Sequence, residues 1–313
     1  MGVLDNHDKF LADSYENFPK GRYVSILLVR KTKSETIFRT ESEGGLNKEF
    51  VRVGEDVEQR VVMTKRKQIA VERRTGRELL RRYDKLFGEG EDVCALNRNN
   101  PCGECIDCML YGFAVGGGGA QKSRVISNDA YSLLPAKKVT DKRTFNALYD
   151  NGTMRDPLNK EKASTSLGEV EYIKPETHFI DIETLKDVTK EELIYVLGNI
   201  LRSKRYGAIS SRIGKMDNYV LGIYFSDCEL LSNLELTQKV IGEFNDKEFP
   251  LATAEVSEVV KTKMEESIGE VFGQVVALEG EELAELLTEI KEIYGDDAKL
   301  EELLDTAQEK YQN

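Results

Sequence analysis

The chain has 313 residues, 40% of them hydrophobic and 32% charged, with a formal net charge of −12. That is enough sequence to bury a full core, as one large domain with insertions or as two smaller ones, and the balance is that of a globular protein. No apolar run reaches the roughly 18 residues of a membrane span, and the polar start MGVLDNHDKFLADSYENFPKG lacks the basic-then-apolar pattern of a secretory signal, so a cytoplasmic protein without membrane contact is expected.

The charge is uneven. Residues 1–170 carry 29 basic and 25 acidic side chains, and residues 171–313 carry 15 and 31. Positions 65–85 hold nine bases against three acids, while from Asp246 onward six bases face nineteen acids. Such asymmetry points to a basic working surface and a separate acidic region, so the negative total does not exclude a polyanionic partner.

In chain order, RYVSILLVRKT (22–32) predicts a strand, with Val24, Ile26 and Leu28 on one face, after a turn at Pro19 and Gly21. The next sixty residues are polar and weakly periodic, which suits an insertion. Within them KQIAVERRTGRELLRRY (67–83) is arginine-rich with short apolar marks. SRVISNDAYSLL (123–134) predicts another strand. Residues 137–167 are loop-like, and NGTMRDPLNKEKAST within them suits a long exposed excursion. EVEYIKPETHFIDIET restores strand alternation around Phe179. The clearest helix is TKEELIYVLGNILRSKRYG: Thr189 and Glu192 form a capping box, and Leu193, Ile194, Val196, Leu197, Ile200 and Leu201 form an apolar stripe. Lys204 and Arg205 suit its last turn and Gly207 its end. NYVLGIYFSDCELL predicts a buried strand. Helical spacing then recurs at Val256, Val259, Val260 and Met264, at Leu283, Leu286, Leu287, Ile290 and Ile293, and, after a break at Gly295, at Leu300, Leu303 and Leu304.

Four of the five cysteines fall at Cys94, Cys102, Cys105 and Cys108, a C-x7-C-x2-C-x2-C pattern. Two-residue spacing lets neighbouring thiolates face one ion, and four thiolates close a tetrahedral shell, which favours structural zinc. Asn99, Pro101 and Gly103 suit a tight loop around it. The stretch has little apolar material, so metal binding would supply its folding energy. The run C-x2-C-x2-C also occurs in iron–sulfur proteins, though here the fourth cysteine lies upstream and no Cys-Pro follows. Four reduced thiols without metal are the remaining reading. Cys228 reads as a core residue, and His178 as a strand or core histidine before a fifth ligand or a base.

Gly116 to Gly119 precede Lys122, Ser123 and Arg124. Glycines let backbone amides approach a phosphate closely, so Gly117, Gly118, Lys122, Ser123 and Arg124 are candidate nucleic-acid contacts. A hinge after the cysteine loop is the equal alternative, and the spacing is not that of a Walker loop. Lys65, Arg66, Lys67, Arg73, Arg74 and Arg77 lie in the basic segment and favour a polyanion. RSKRYGAISSRIGKMDN adds Lys204, Arg205, Arg212 and Lys215, with Tyr206 placed to stack on a base. No Ser/His/Asp arrangement occurs, the two histidines stand in unrelated settings, and Asp129 and Asp181 lie in strand-like segments without partners, so no enzyme is expected.

The order of these features, above all SRVISNDAY and the cysteine insertion, resembles the CRISPR-RNA-wrapping backbone subunit of type I-D CRISPR surveillance complexes (Cascade), in the RAMP superfamily of antiviral defence. The similarity runs from about Arg22 to the C-terminus. The resemblance implies an α+β fold: an RRM-like (ferredoxin-like) palm with inserted finger, zinc-binding and thumb elements and a helical C-terminal region. Palm strands fall at 23–30, 125–133, 179–182 and 219–225. The implied division is 1–34 start of palm, 35–122 finger and zinc-binding region, 123–136 palm, 137–168 thumb-like excursion, 169–235 palm and 236–313 acidic helical region. It further implies copies assembled head-to-tail along CRISPR RNA, with other subunits of the complex and target DNA or RNA paired to the guide as partners. Such a subunit grips phosphate and sugar and leaves base edges free. Met154 or Leu158 in the thumb would wedge against a displaced base. Some related subunits cut RNA with an acidic residue after the first strand. Here Glu35, Glu41 and Glu43 stand there with no aspartate, so cleavage is not carried over. Two other function classes stay open: a CRISPR-associated endoribonuclease, and a zinc-containing nucleic-acid-binding regulator outside CRISPR.

Overall fold

The aliphatic run after Gly21 becomes the central strand of the molecule, β1 (Tyr23–Thr32). The computed structural model describes residues 2–39, 45–96, 98, 100–116, 119–159, 161–164, 166–208, 213–244 and 247–311. After β1 come the hairpin β2 (Lys48–Val53) and β3 (Asp56–Met63), then α1 (Lys65–Arg82). Next are α2 (Ile106–Tyr111), the short hairpin β4 (Phe113–Val115) and β5 (Gly119–Gln121), β6 (Val125–Ser127), β7 (Ala130–Tyr131) and the turn α3 (Ala136–Val139). The ribbon β8 (Thr140–Asn146) and β9 (Leu167–Ile173) precedes β10 (His178–Lys186), α4 (Lys190–Arg202), β11 (Arg205–Tyr206) and β12 (Gly214–Ser226). The chain continues through α5 (Asn233–Ile241), α6 (Thr253–Ile268), β13 (Val275–Leu278), α7 (Gly280–Gly295) and α8 (Asp297–Glu309).

The main sheet runs β11–β12–β1–β10–β6, with β13 also paired to β12, and its neighbours are antiparallel. Alternation along β1 sends Val24, Ile26 and Leu28 to one face and Leu27 and Val29 to the other, and both faces are buried. Apolar residues of α1, α4, α7 and α8 cover the first face, and those of α5 and α6 cover the second. A strand covered twice needs a continuous apolar run, which YVSILLV supplies. The capping box of α4 forms as expected: Glu192 N donates to Thr189 Oγ1 (3.3 Å) and Thr189 N to Glu192 Oε2 (2.9 Å). Among the described residues no helix is long and apolar enough to cross a membrane.

Several features depart from the sequence expectation: α4 ends at Arg202, which leaves Arg205 in β11, and the loop-like 137–167 holds β8. The arginine-rich segment is not an excursion from the core but the helix α1, with Leu79 and Leu80 in the core beside α4. Gly76 permits that approach, since a Cβ there would stand 2.3 Å from the Tyr195 hydroxyl. The strand expected at 125–133 breaks in two, because Asn128 and Asp129 turn aside: Asp129 Oδ1 accepts from Lys65 N (2.8 Å) and the Asn128 carbonyl from Asn233 Nδ2 (2.9 Å). β6 therefore joins the main sheet and β7 pairs with β3. Cys228 lies just past β12 and is partly exposed, not in the core.

Inside the sheet–helix layer, Arg30 of β1 has no solvent exposure. Its Nε donates to Asp181 (2.7 Å), its Nη1 to Glu72 (2.8 Å) and Asn218 (3.0 Å), and its Nη2 lies 3.5 Å from Glu183. Gln68 Nε2 (2.6 Å) and Asn233 Nδ2 (2.7 Å) also donate to Asp181. Burial opposes the Arg30 charge, but the surrounding acids outweigh it and hold the guanidinium firmly ionised. One cation cannot serve three carboxylates equally. Burial and then the neighbouring Glu72 push the Glu183 carboxyl well above its usual range, favouring its protonated form. Arg30→Met should therefore cost about 3–5 kcal/mol in urea unfolding, by leaving buried acids without their cation. Glu183→Gln, which copies a protonated carboxyl, should cost less than about 1 kcal/mol.

On the other face His178 is 3% exposed. Its Nε2 lies 3.0 Å from Thr253 Oγ1, which also receives Lys31 Nζ (3.0 Å). Burial first, then the Lys31 charge, depress its pKa from 6.5 to about 4. The ring is neutral in the fold, so its contribution is complete above pH 6.5 and is lost as the pH falls toward 4, where the unfolded chain binds a proton that the fold refuses. Unfolding free energies measured between pH 7 and 4.5 should fall more steeply in the wild type than in His178→Gln, by up to about 3 kcal/mol.

Candidate metal centre and nucleic-acid interface

Local backbone turns bring the four clustered cysteines together. Cys105 caps α2, its Sγ accepting from Cys108 N (3.5 Å), and Cys105 N in turn donates to Cys102 Sγ (3.3 Å). Ala95 N donates to the Asn100 carbonyl (3.0 Å), closing the loop between Cys94 and Cys102. All four sulfurs lie within 4.8 Å of one another. Cys94 is 3.6 Å from Cys108 and 3.9 Å from Cys105, and Cys102 is 3.9 Å from Cys108. These are free cysteines, not disulfides. A tetrahedral thiolate shell with metal–sulfur bonds of about 2.3 Å has edges of about 3.8 Å, so the spacing fits such an ion. Among the described residues no other group of three or more histidines, cysteines and acids is close enough to do the same.

α1 supplies the charge around this cluster. Arg77 donates to the Cys94 carbonyl (2.6 Å) and lies 3.6 Å from its sulfur. Asp107 of α2 is fully buried between Arg77 (2.5 Å) and a two-pronged contact from Arg73 (2.8 and 2.9 Å). Burial weakens the Arg77 charge, but Asp107 and Cys94 restore more than it loses. Hydrogen bonds from Cys105 and Cys108 pull the Cys102 thiol down to about 6, while contact with Cys102 pushes Cys105 and Cys108 up. The expectation of phosphate contacts from Arg73 and Arg77 is thus corrected: both are committed to the cysteine loop and Asp107.

The loop is tied directly to the strand that follows. α2 ends at Gly112, with φ of 77°, and a Cβ there would stand 2.5 Å from the Gln121 carbonyl and 2.7 Å from Ser123 N. Arg124 N donates to the Leu110 carbonyl (2.8 Å). Beyond that junction Lys122 is exposed, and Ser123 turns its hydroxyl to the Val125 carbonyl (2.8 Å). Arg124 is a second correction. It is buried, with Nη1 on Glu192 Oε2 (2.8 Å) and the Asp187 carbonyl (3.0 Å), because the capping-box glutamate of α4 is itself buried and needs a cation.

Other candidates stay on the surface. Lys65 and Arg66 are exposed and Lys67 half-buried in the first turn of α1, and Arg74 is exposed farther along it. Lys204, Arg205 and Lys215 are exposed, and the β11–β12 register sets Arg205 opposite Lys215. Thr75 Oγ1 meets Ser203 Oγ at 2.9 Å, which ties mid-α1 to the segment bearing Lys204 and Arg205. Tyr206 is not free to stack: it is buried, its hydroxyl donating to Glu72 (3.0 Å). Met154 is half-buried, its sulfur accepting from Asn146 Nδ2 (3.2 Å), whereas Leu158 is 97% exposed. Gly117, Gly118, Arg212, Glu41, Glu43 and Asn99 lie outside the described residues. Lys204 pairs with Asp217 (3.9 Å) and Arg205 donates to the Ile213 carbonyl (3.2 Å), and the arrangement can close a four-sulfur shell and offer separate groups of exposed cations to an anionic chain.

Sequence reasoning missed a cleft of about 370 Å³ beside Lys122, whose walls include Tyr15, Tyr23 and Lys186. The available signal was Tyr23, a large ring that opens β1 outside its alternation of buried aliphatic residues.

Residues 10–304 match the family described as Csc2 Crispr. Among solved structures, Csc2 from Thermofilum pendens is similar with a TM-score of 0.60 over 97% of this chain and 96% of that one, at 19% identity. A chain of a "CRISPR RNA-guided surveillance complex, pre-nicking" is similar with a TM-score of 0.52 over 81% and 90%, at 10% identity. At such identities the structural likeness speaks for the fold alone. Comparison with curated proteins finds no match. The family match takes in the main sheet, the cysteine cluster and the C-terminal helices alike, and on that ground the chain belongs to the Csc2 CRISPR family.

Proposed function

We propose that the chain is a non-catalytic, RNA-binding backbone subunit of a type I-D CRISPR surveillance complex, coating a guide RNA head-to-tail and presenting it to target DNA or RNA in the cytoplasm. The family match over residues 10–304 carries this reading. A chain of similar fold belongs to a CRISPR RNA-guided surveillance complex. The strand order β12–β1–β10–β6, with α1 following β1 and α4 following β10, supports an RRM-like palm. The β2–β3 hairpin then serves as finger, residues 94–108 as the zinc element and the β8–β9 ribbon as thumb.

RRM domains usually stack bases on an open sheet face. Here both faces are covered, so the RNA meets exposed helix surface and connections: Lys65, Arg66, Lys67 and Arg74 on α1, Lys122 after the glycine run, and Lys204, Arg205 and Lys215 at the sheet end. Cleavage is disfavoured by where the acids go. Glu72, Asp181 and Glu183 are buried on Arg30, and Glu35 pairs with Arg143. Cys94, Cys102, Cys105 and Cys108 would hold one zinc ion whose shell they complete, so it serves folding and not reaction.

Protein purified without chelator should carry about one zinc per chain by elemental analysis. Cys105→Ser should lower that occupancy and the melting temperature; metal-free wild type that melts at the same temperature after chelation would sink the assignment. The triple variant Lys65→Glu/Arg66→Glu/Arg74→Glu should weaken binding of unrelated single-stranded RNAs alike, by tenfold or more. The slope of log affinity against log salt should fall by about 0.7 for each phosphate that the variant no longer neutralises. Labelled RNA should stay intact with and without magnesium; cleavage would favour an endoribonuclease instead.

A further inference from the structure

We infer that the cleft beside Lys122 is a pocket for one unstacked nucleotide of single-stranded RNA, with the base against Tyr23 and the phosphate between Lys122 and Lys186. The inference rests on the RNA-binding reading above and adds a site to it. The volume, about 370 Å³, falls within the roughly 300–1,000 Å³ of small-ligand sites. Tyr15, Tyr23 and residues 121–123 are among the residues that line it.

The charges that remain available decide the ligand. Arg124, though it lines the cleft, is taken by Glu192. Asp187 Oδ1 is taken by the amides of Lys20 (3.2 Å) and Arg22 (3.1 Å), and Glu16 pairs with Lys20 (2.7 Å). Among the described residues Lys122 and Lys186 have no carboxylate partner; of the lining acids, Glu229 lacks a cation, and Asp187 meets only backbone amides, with its Oδ2 left without a hydrogen-bond partner. Lys186 stands opposite Tyr23 in the strand register, with its ammonium 5.1 Å from the ring centre. A ring with an ammonium over one face, itself without a carboxylate partner, matches a base with its phosphate.

The polar groups of the wall are mostly spent on one another. The Tyr15 hydroxyl donates to Gln121 Oε1 (3.1 Å), Gln121 Nε2 donates to the Lys122 carbonyl (3.3 Å), and the Ser123 hydroxyl donates to Val125. Tyr15 is also clamped between the Arg124 guanidinium (5.1 Å) and the edge of Tyr311 (6.2 Å). These contacts hold the wall in place, and the cleft offers a ring and two cations, with Asp187 Oδ2 and Glu229 as the acceptors beside them and few other groups to read base edges. It should accept any base, as stacking platforms do.

The test uses the full chain and RNAs carrying 4-thiouridine. In the wild type, cross-links should map to residues 15–23, 121–123 or 186; cross-links confined to other regions would overturn the pocket. Tyr23→Ala should weaken RNA binding about tenfold at an unchanged salt slope, while Tyr23→Phe should bind as wild type. Lys186→Glu should weaken binding and lower the slope. Each variant is compared at matched far-ultraviolet dichroism and melting temperature. If the α1 triple variant weakens RNA binding but Tyr23→Ala and Lys186→Glu do not, the pocket fails and the RNA-binding reading stands. If the wild type binds no RNA, both fail. Uridine monophosphate binding as tightly as the RNA would overturn assignment to a polynucleotide.

Discussion

A guanidinium shut away from water sits between the main sheet and α1, and six segments are arranged around its charge. β1 carries Arg30, β10 brings Asp181 and Glu183, and α1 brings Glu72 and Gln68. β11 and β12 add Tyr206 and Asn218, and α5 reaches Asp181 through Asn233. Burying an ion pair is costly unless its hydrogen bonds are met, so such a hub stabilises little by itself but admits few other arrangements. Arg30 lies opposite Phe179 in the β1–β10 register. A slip by one residue would swing Arg30 to the other face, among Leu27, Val29, Ile180 and Ile182.

The same hub fixes α1, and α1 fixes the cysteine loop. Glu72 is held by Arg30, and the adjacent Arg73 and, about a turn later, Arg77 hold Asp107 and Cys94. The loop passes the placement on through Gly112, whose bare Cα lets residues 121–123 pack against the end of α2. Lys122 is thus located by a chain of contacts that begins in the middle of the sheet.

Some of this was legible in the sequence because the signals are local. The Thr189–Glu192 capping box, the stripes of α4, α6, α7 and α8, and the spacing of the four cysteines each involve residues a few positions apart. What escaped notice involves long-range partners. Arg124 looks like a surface cation beside glycines, and only the fold reveals Glu192, 68 positions away, as its counter-charge. Arg73 and Arg77 read as polyanion contacts until Asp107 is placed between them. α1 hid its role because Leu79 and Leu80 are brief apolar marks among arginines, and its inner face is polar where it meets Arg30. The break at Asn128 and Asp129 could not be read either, since β6 and β7 look like one strand until their partners, β10 and β3, are known.

A sheet wrapped on both sides has no broad platform left to offer. The exposed cations proposed to meet RNA stand on α1, on the connection before β6 and beside the β11–β12 pairing, not on a face of the sheet. Connections can lengthen, shorten or change sequence without disturbing a strand register that Arg30 holds. Scaffold and connections can therefore diverge separately in this architecture: a chain at 19% identity keeps the fold, while the surface connections are free to change around it.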